Sequence, residues 1–112
     1  MDLDQLKMLS DLKYQKSRKA LAVLTARENE LRSELDRLRD LVLDTQAQQP
    51  EHHEIRAIGA DMIWLAWVGQ AQRRLNIALA QVLAQKEGHM PRHRQAHGKQ
   101  MVAEKLALDA EA

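Results

Sequence analysis

Leu21, Leu24, Leu31, Leu35, Leu38 and Val42 recur in alternating steps of three and four, with one gap at Glu28. Apolar residues every 3.5 positions keep one stripe of a long helix turned toward a partner helix. Ile58, Leu65, Val68, Leu75, Leu79 and Val82 draw a second stripe of the same period. A single break, Gln46-Ala47-Gln48-Gln49-Pro50, separates the two. The pattern predicts an all-α chain: one domain over residues 1–112, built as a long antiparallel two-helix coiled-coil hairpin.

Helix one is expected from about Leu3 to about Thr45, with Asp2 and Asp4 at the positive end of its dipole. Glu28 with Arg32 and Glu34 with Arg37 stand at the i+4 and i+3 spacings that support a helix surface. The turn falls at about 46–50. Pro50 suits the first position of helix two, with Glu51 and Glu54 in its first turn. Pairing about Gln48 sets Leu38 near Ile58, Leu31 near Leu65 and Leu24 near Leu75.

The two ends of the chain are less regular. Leu3, Leu6, Leu9 and Leu12 step by threes, and extending the seam backwards meets Ser17, Tyr14 and Ser10. This end is open to splaying or to contacting something other than helix two. Gly59 and Gly69 each weaken helix two by about 1 kcal/mol relative to Ala. At Gly88-His89-Met90-Pro91 the proline removes a backbone donor and disfavours helix before it. Helix two is therefore expected over about 51–87, with a kink or break near 88–91. A C-terminal helical extension follows over about 92–110. Its apolar stripe is Met101, Lys105 and Leu108, or Val102 and Leu106, and its last ~15–18 residues overhang helix one.

Composition agrees with the pattern. Ala, Glu, Lys, Leu and Arg make up about half of the 112 residues, and Phe is absent. The absence of cysteine excludes disulfides and fits a reducing compartment. The longest apolar run, Met62 to Val68, is too short to cross a bilayer, so no transmembrane segment is expected. Net charge is +1 and locally balanced, without the single-sign field that captures nucleic acid. Lys13, Lys16, Arg18 and Lys19 form the densest basic patch.

Met62, Ile63, Trp64, Leu65, Ala66, Trp67 and Val68 are apolar all the way round a helix, and one partner helix covers only one side. Trp64 and Trp67 either widen the seam or form, with Met62 and Ile63, a docking patch for a further chain. His89, His93 and His97 repeat every four residues, and His52 and His53 lie beside Pro50. No cysteine or carboxylate cluster completes a metal shell, so they read as a polar surface tract. No nucleotide-binding, metalloprotease or hydrolase motif occurs, and no pocket perturbs the scattered carboxylates. The expectation is a non-enzyme without cofactor or metal.

Lys13, Arg18, Ala20 and the run Leu24-Thr25-Ala26-Arg27-Glu28-Asn29-Glu30-Leu31 resemble the first helix of the FliJ-type stalk proteins of flagellar and type III secretion export. Ala96-His97-Gly98-Lys99, Val102 and Glu104-Lys105-Leu106 resemble the end of their second helix. The chain is shorter than that family usually is, and Pro91 interrupts a helix that is generally long. The resemblance implies a cytoplasmic coiled-coil stalk, free or peripheral to the inner membrane at an export apparatus. Its paired terminal helices enter a hexameric export ATPase and promote its assembly or activity. Other surfaces meet the export gate and secretion chaperones. On this reading Lys13, Lys16, Arg18, Lys19, Lys99 and Lys105 contact the ATPase pore. The alternative is a generic helical-hairpin scaffold or chaperone-like protein completing a larger bundle through the Trp patch.

Overall fold

The computed structural model describes residues 2–47 and 55–111. Two helices account for them, α1 (Leu3–Ala47) and α2 (Ile55–Glu111), and no strand occurs among the described residues. The architecture is an all-α helical hairpin. Of the expected turn at 46–50, Gln46 and Ala47 belong to α1; positions 48–50, with Glu51 and Glu54, lie outside the described residues, as do His52 and His53 and the side-chain surroundings of Ile58 and Gly59.

α1 begins with a reciprocal cap. The Gln5 amide donates to Asp2 Oδ1 at 2.7 Å, and the Asp2 amide donates to Gln5 Oε1 at 3.3 Å. Each side chain thus serves a backbone group that the first turn would otherwise leave unmatched. At the other end, α1 continues two residues beyond the expected Thr45.

α2 is one helix of 57 residues with Pro91 inside it. No break separates a helix two from a C-terminal extension. Pro91 is exposed, so its ring stands away from α1, and the helical pattern continues on both sides.

The chain divides into two compact units. The terminal unit is Met1–Ala26 with Val82–Ala112, and the central unit is Arg27–Gln81. In the central unit the seam of α1 is Glu28, Leu31, Leu35, Leu38, Val42 and Thr45, in strict steps of three and four. Leu31 is completely buried and Val68 on α2 is 2 % exposed. Burying a leucine this fully contributes roughly 1.5–3 kcal/mol. Glu28 fills the gap in the apolar stripe. Its side chain is only 14 % exposed, and Arg32 Nε donates to its carboxylate at 2.9 Å, the expected i+4 pair.

On α2 the inward residues of this unit are Asp61, Trp64, Val68, Ala71, Leu75 and Ala78, with Gly69, Gln72 and the expected Leu79 half-buried beside them. The seam takes Trp64 half-buried and turns Leu65 outward, 44 % exposed. This corrects the stripe through Leu65. A 3.5-residue step back from Val68 falls between 64 and 65, so the period admits both, and the structure turns Trp64 inward.

The pairing register also differs from the expected one. In the central unit Glu34, Leu38 and Leu41 share a groove with Ala71 and Leu75. In the terminal unit Leu6 and Ser10 share one with Lys99 and Ala103. Facing residue numbers add to about 109 in both. Leu38 therefore lies by Ala71, and Leu31 has no inward Leu65 to meet; in the terminal unit Leu24 shares its groove with Gln85. The apolar stripes fix which faces meet but leave the helices free to slide by whole heptads. Placing the centre of the hairpin at Gln48 shifted every pair.

The terminal unit shows what that shift does. Asp2, Leu3 and Asp4 line a groove with Ala107, Ala110 and Glu111, so the C-terminal residues lie along α1 instead of overhanging it. In the C-terminal segment Ala103 and Ala107 are buried, 2 % and 8 % exposed, as is Val82 farther back in the same unit. Met101, Val102, Leu106 and Leu108, the expected stripe, are all exposed. On α1, Ser10 is buried while Leu9 and Leu12 face outward. The N-terminal seam does not splay: it continues through Ser17, Tyr14 and Ser10 as its period requires.

Candidate binding surfaces

Within the terminal unit the seam carries a polar layer. Tyr14 stacks on His93 with ring centroids 5.5 Å apart and meets His97 at 5.1 Å. One turn along, Ser17 Oγ and His93 Nδ1 form a 3.0 Å hydrogen bond, donor and acceptor being set by the imidazole tautomer. The heptad places these residues opposite one another, since Tyr14 and Ser17 are seam positions of α1 and His93 is one of α2. A half-buried hydroxyl–imidazole pair with a ring stacked on it is satisfied in only one alignment. Such a layer selects register where Ala and Ser supply little apolar grip.

This corrects the reading of the histidines as a surface tract. His93 is a half-buried contact across the helix pair, and His97 packs on Tyr14 although it remains largely exposed. The signal lay in the backwards extension of the α1 seam, which reached Tyr14 and Ser17. Carrying the α2 period forward from Val82 would have reached His89, His93 and Ala96. Among the described residues no group of three or more His, Cys, Asp or Glu stands in metal-holding geometry.

Lys13, Lys16, Arg18, Lys19, Lys99 and Lys105 are all exposed. Lys13 and Lys99 come together, lining one groove of about 530 Å³ with Leu6, Leu9 and Val102. Lys16, Arg18, Lys19 and Lys105 do not line it. A second groove of the same unit, about 620 Å³, runs between Ala20 and Val23 on α1 and Gly88 and Arg92 on α2. The glycine opens it, because a Cβ placed at Gly88 would have no atom within 4 Å.

In the central unit the apolar residues around the tryptophans part company. Trp64 is half-buried in the seam, whereas Met62, Ile63 and Trp67 are 67 %, 75 % and 58 % exposed. Ile63 and Trp67 are one turn apart and share a face. Arg73 and Arg74 follow one to two turns later, also exposed.

No helix among the described residues is long and apolar enough to cross a membrane. Compared with family models, curated proteins and solved structures, the chain finds no match.

Proposed function

We propose that this chain is a non-catalytic coiled-coil stalk or adaptor of a flagellar-type export apparatus, acting in the cytoplasm on a hexameric export ATPase. One observation carries the reading. The two chain ends are helical and lie side by side, Leu3 and Asp4 against Ala107 and Ala110, with exposed Lys13 and Lys99 on one flank. A paired helical end is the element that a pore-inserted stalk requires. The resemblance of Leu24–Leu31 and of the Ala96–Leu106 segment to FliJ-type proteins supplies the partner class.

The test is phosphate release by a purified flagellar-type export ATPase from the same organism, titrated with this chain. Stimulation by the unaltered chain is expected to vanish when Lys13, Lys16, Arg18 and Lys19 become Glu, or when the tail after Gly98 is removed. Trp67→Ala is expected to keep stimulation while weakening a gate or chaperone contact. Failure of the unaltered chain to stimulate would reject the stalk. It would favour the second reading, a bundle-completing scaffold, which draws on the exposed Met62, Ile63 and Trp67.

A further inference from the structure

Beside its seam, the terminal unit carries a second pair of stripes with the same 3.5-residue period. On α1 the stripe is Leu6, Leu9, Lys13, Lys16, Ala20 and Val23; on α2 it is Gln85, Gly88, Arg92, Gln95, Lys99 and Val102. The steps alternate between three and four throughout, so each stripe keeps to one flank of the helix pair. Every member except Lys16 lines one of the two grooves described above. From Leu6 to Val23 the flank extends ~25 Å, about five helical turns.

Two helices with heptad flanks and a groove between them offer the seat that a third helix fills. The groove presents apolar contact, since Leu9, Val23 and Val102 are 39 %, 69 % and 59 % exposed. It also allows close backbone approach. A Cβ at Gly88 or at Gly98, which lines the first groove, would meet nothing within 4 Å.

Charge decides the occupant. The stripes contain Lys13, Lys16, Arg92 and Lys99, and no Asp or Glu lies on either stripe or lines either groove. A second copy of this chain, laid flank to flank, would set lysine against lysine. A bilayer meets convex surfaces, whereas this flank is concave. Carboxylates beside the apolar edge of an incoming helix would find four cations at heptad spacing.

We propose that this flank binds an acidic amphipathic helix of a partner protein, about 17 residues long by the helical rise. Its apolar edge sits in the groove, and its Asp and Glu face Lys13, Lys16, Arg92 and Lys99. The proposal rests on the groove alone and holds whether or not the partner belongs to an export apparatus.

The probe is a fluorescein-labelled synthetic helix of about 18 residues, with Leu at the seam positions of each heptad and Glu beside them. Its twin carries Lys in place of Glu. Anisotropy titrations with the whole chain are expected to show binding of the acidic probe that weakens as salt rises, and none of the Lys twin. Lys13→Glu combined with Lys99→Glu, both exposed, is expected to weaken binding at least about tenfold, as loss and reversal of two groove cations implies. Gly88→Leu, which fills the groove, should weaken it similarly at unchanged helicity. Equal binding of both probes, or indifference to the double lysine reversal, would overturn the proposal. So would absence of probe binding together with self-association abolished by Gly88→Leu, or together with anionic-vesicle binding lost in the lysine reversal.

Discussion

In the central unit Leu31, Leu35, Leu38 and Val68 point inward, whereas in the terminal unit Ser10, Ala103 and Ala107 hold the corresponding places and Leu12, Val102 and Leu106 stand outside. Both units use the same two helices and a similar pairing register. What differs is where the large side chains are used. The central unit gains its cohesion by removing leucine from water, which is strong but indifferent to sliding by a heptad. The terminal unit keeps Leu21, Leu24 and Val82 in its seam and beyond them relies on close contact of small residues plus the Tyr14, Ser17, His93 and His97 layer, which is particular to one alignment. Leu9, Leu12, Val23, Val102 and Leu106 stand exposed on its flanks, while Leu21, Leu24 and Val82 stay with the seam.

The sharpest way to break this contrast is truncation. Leu31→Ala should cost about 2–5 kcal/mol in chemical unfolding, because it empties a fully buried site. Leu12→Ala, at a position 64 % exposed, should stay within about 0.5 kcal/mol. Equal costs would show that the terminal flank is itself core.

Enlargement should give the reverse pattern. Ala103→Leu is expected to destabilise by about 1–3 kcal/mol through overpacking, despite adding apolar surface. A stabilised variant would mean that the alanine contact is loose. Smaller still is the polar layer. A double-mutant cycle on Tyr14→Ala and His93→Ala should return a coupling of about 0.5–1.5 kcal/mol, typical of stacked rings. A cycle that closes to zero would leave the layer with no part in register. Least of all, Gly98→Ala should stabilise by up to about 1 kcal/mol from helix propensity, since its added methyl meets nothing. Amide hydrogen exchange in α2 would register that change as slower opening near residue 98.

What was legible in the sequence divides along the same line. The leucine stripe Leu21–Val42, the i+4 pair at Glu28 and the all-helical class follow from periodicity that large apolar residues make visible. Leu65 fits the period as well as Trp64 does, and only the packed helices show which of the two turns inward. A preference for large residues drew the C-terminal stripe through Met101 and Val102 when Ala103 and Ala107 were the contact residues. The tail's seam is written in Ala, Gln and His, which carry the period without carrying hydrophobicity. Register was illegible for another reason: nothing within a heptad seam distinguishes one seven-residue offset from the next. The cues that do, Tyr14 opposite His93 and Ser17 beside it, are side-chain fits that exist only once the helices are aligned. The basic residues of the groove were singled out as a patch, but their gathering into one flank depended on that alignment too.

Within each unit facing positions add to a nearly constant number, so each reads as a palindrome of spacing. Length is then a coupled trait. Losing one heptad from α1 alone would carry Tyr14 two turns past His93 and set the grooved flank's two edges out of step. A matched loss of seven residues from each helix, at mirrored places, would shorten the protein and leave every surviving neighbour in place. Variation in the length of such a chain is thus expected to come in paired sevens, one in each helix.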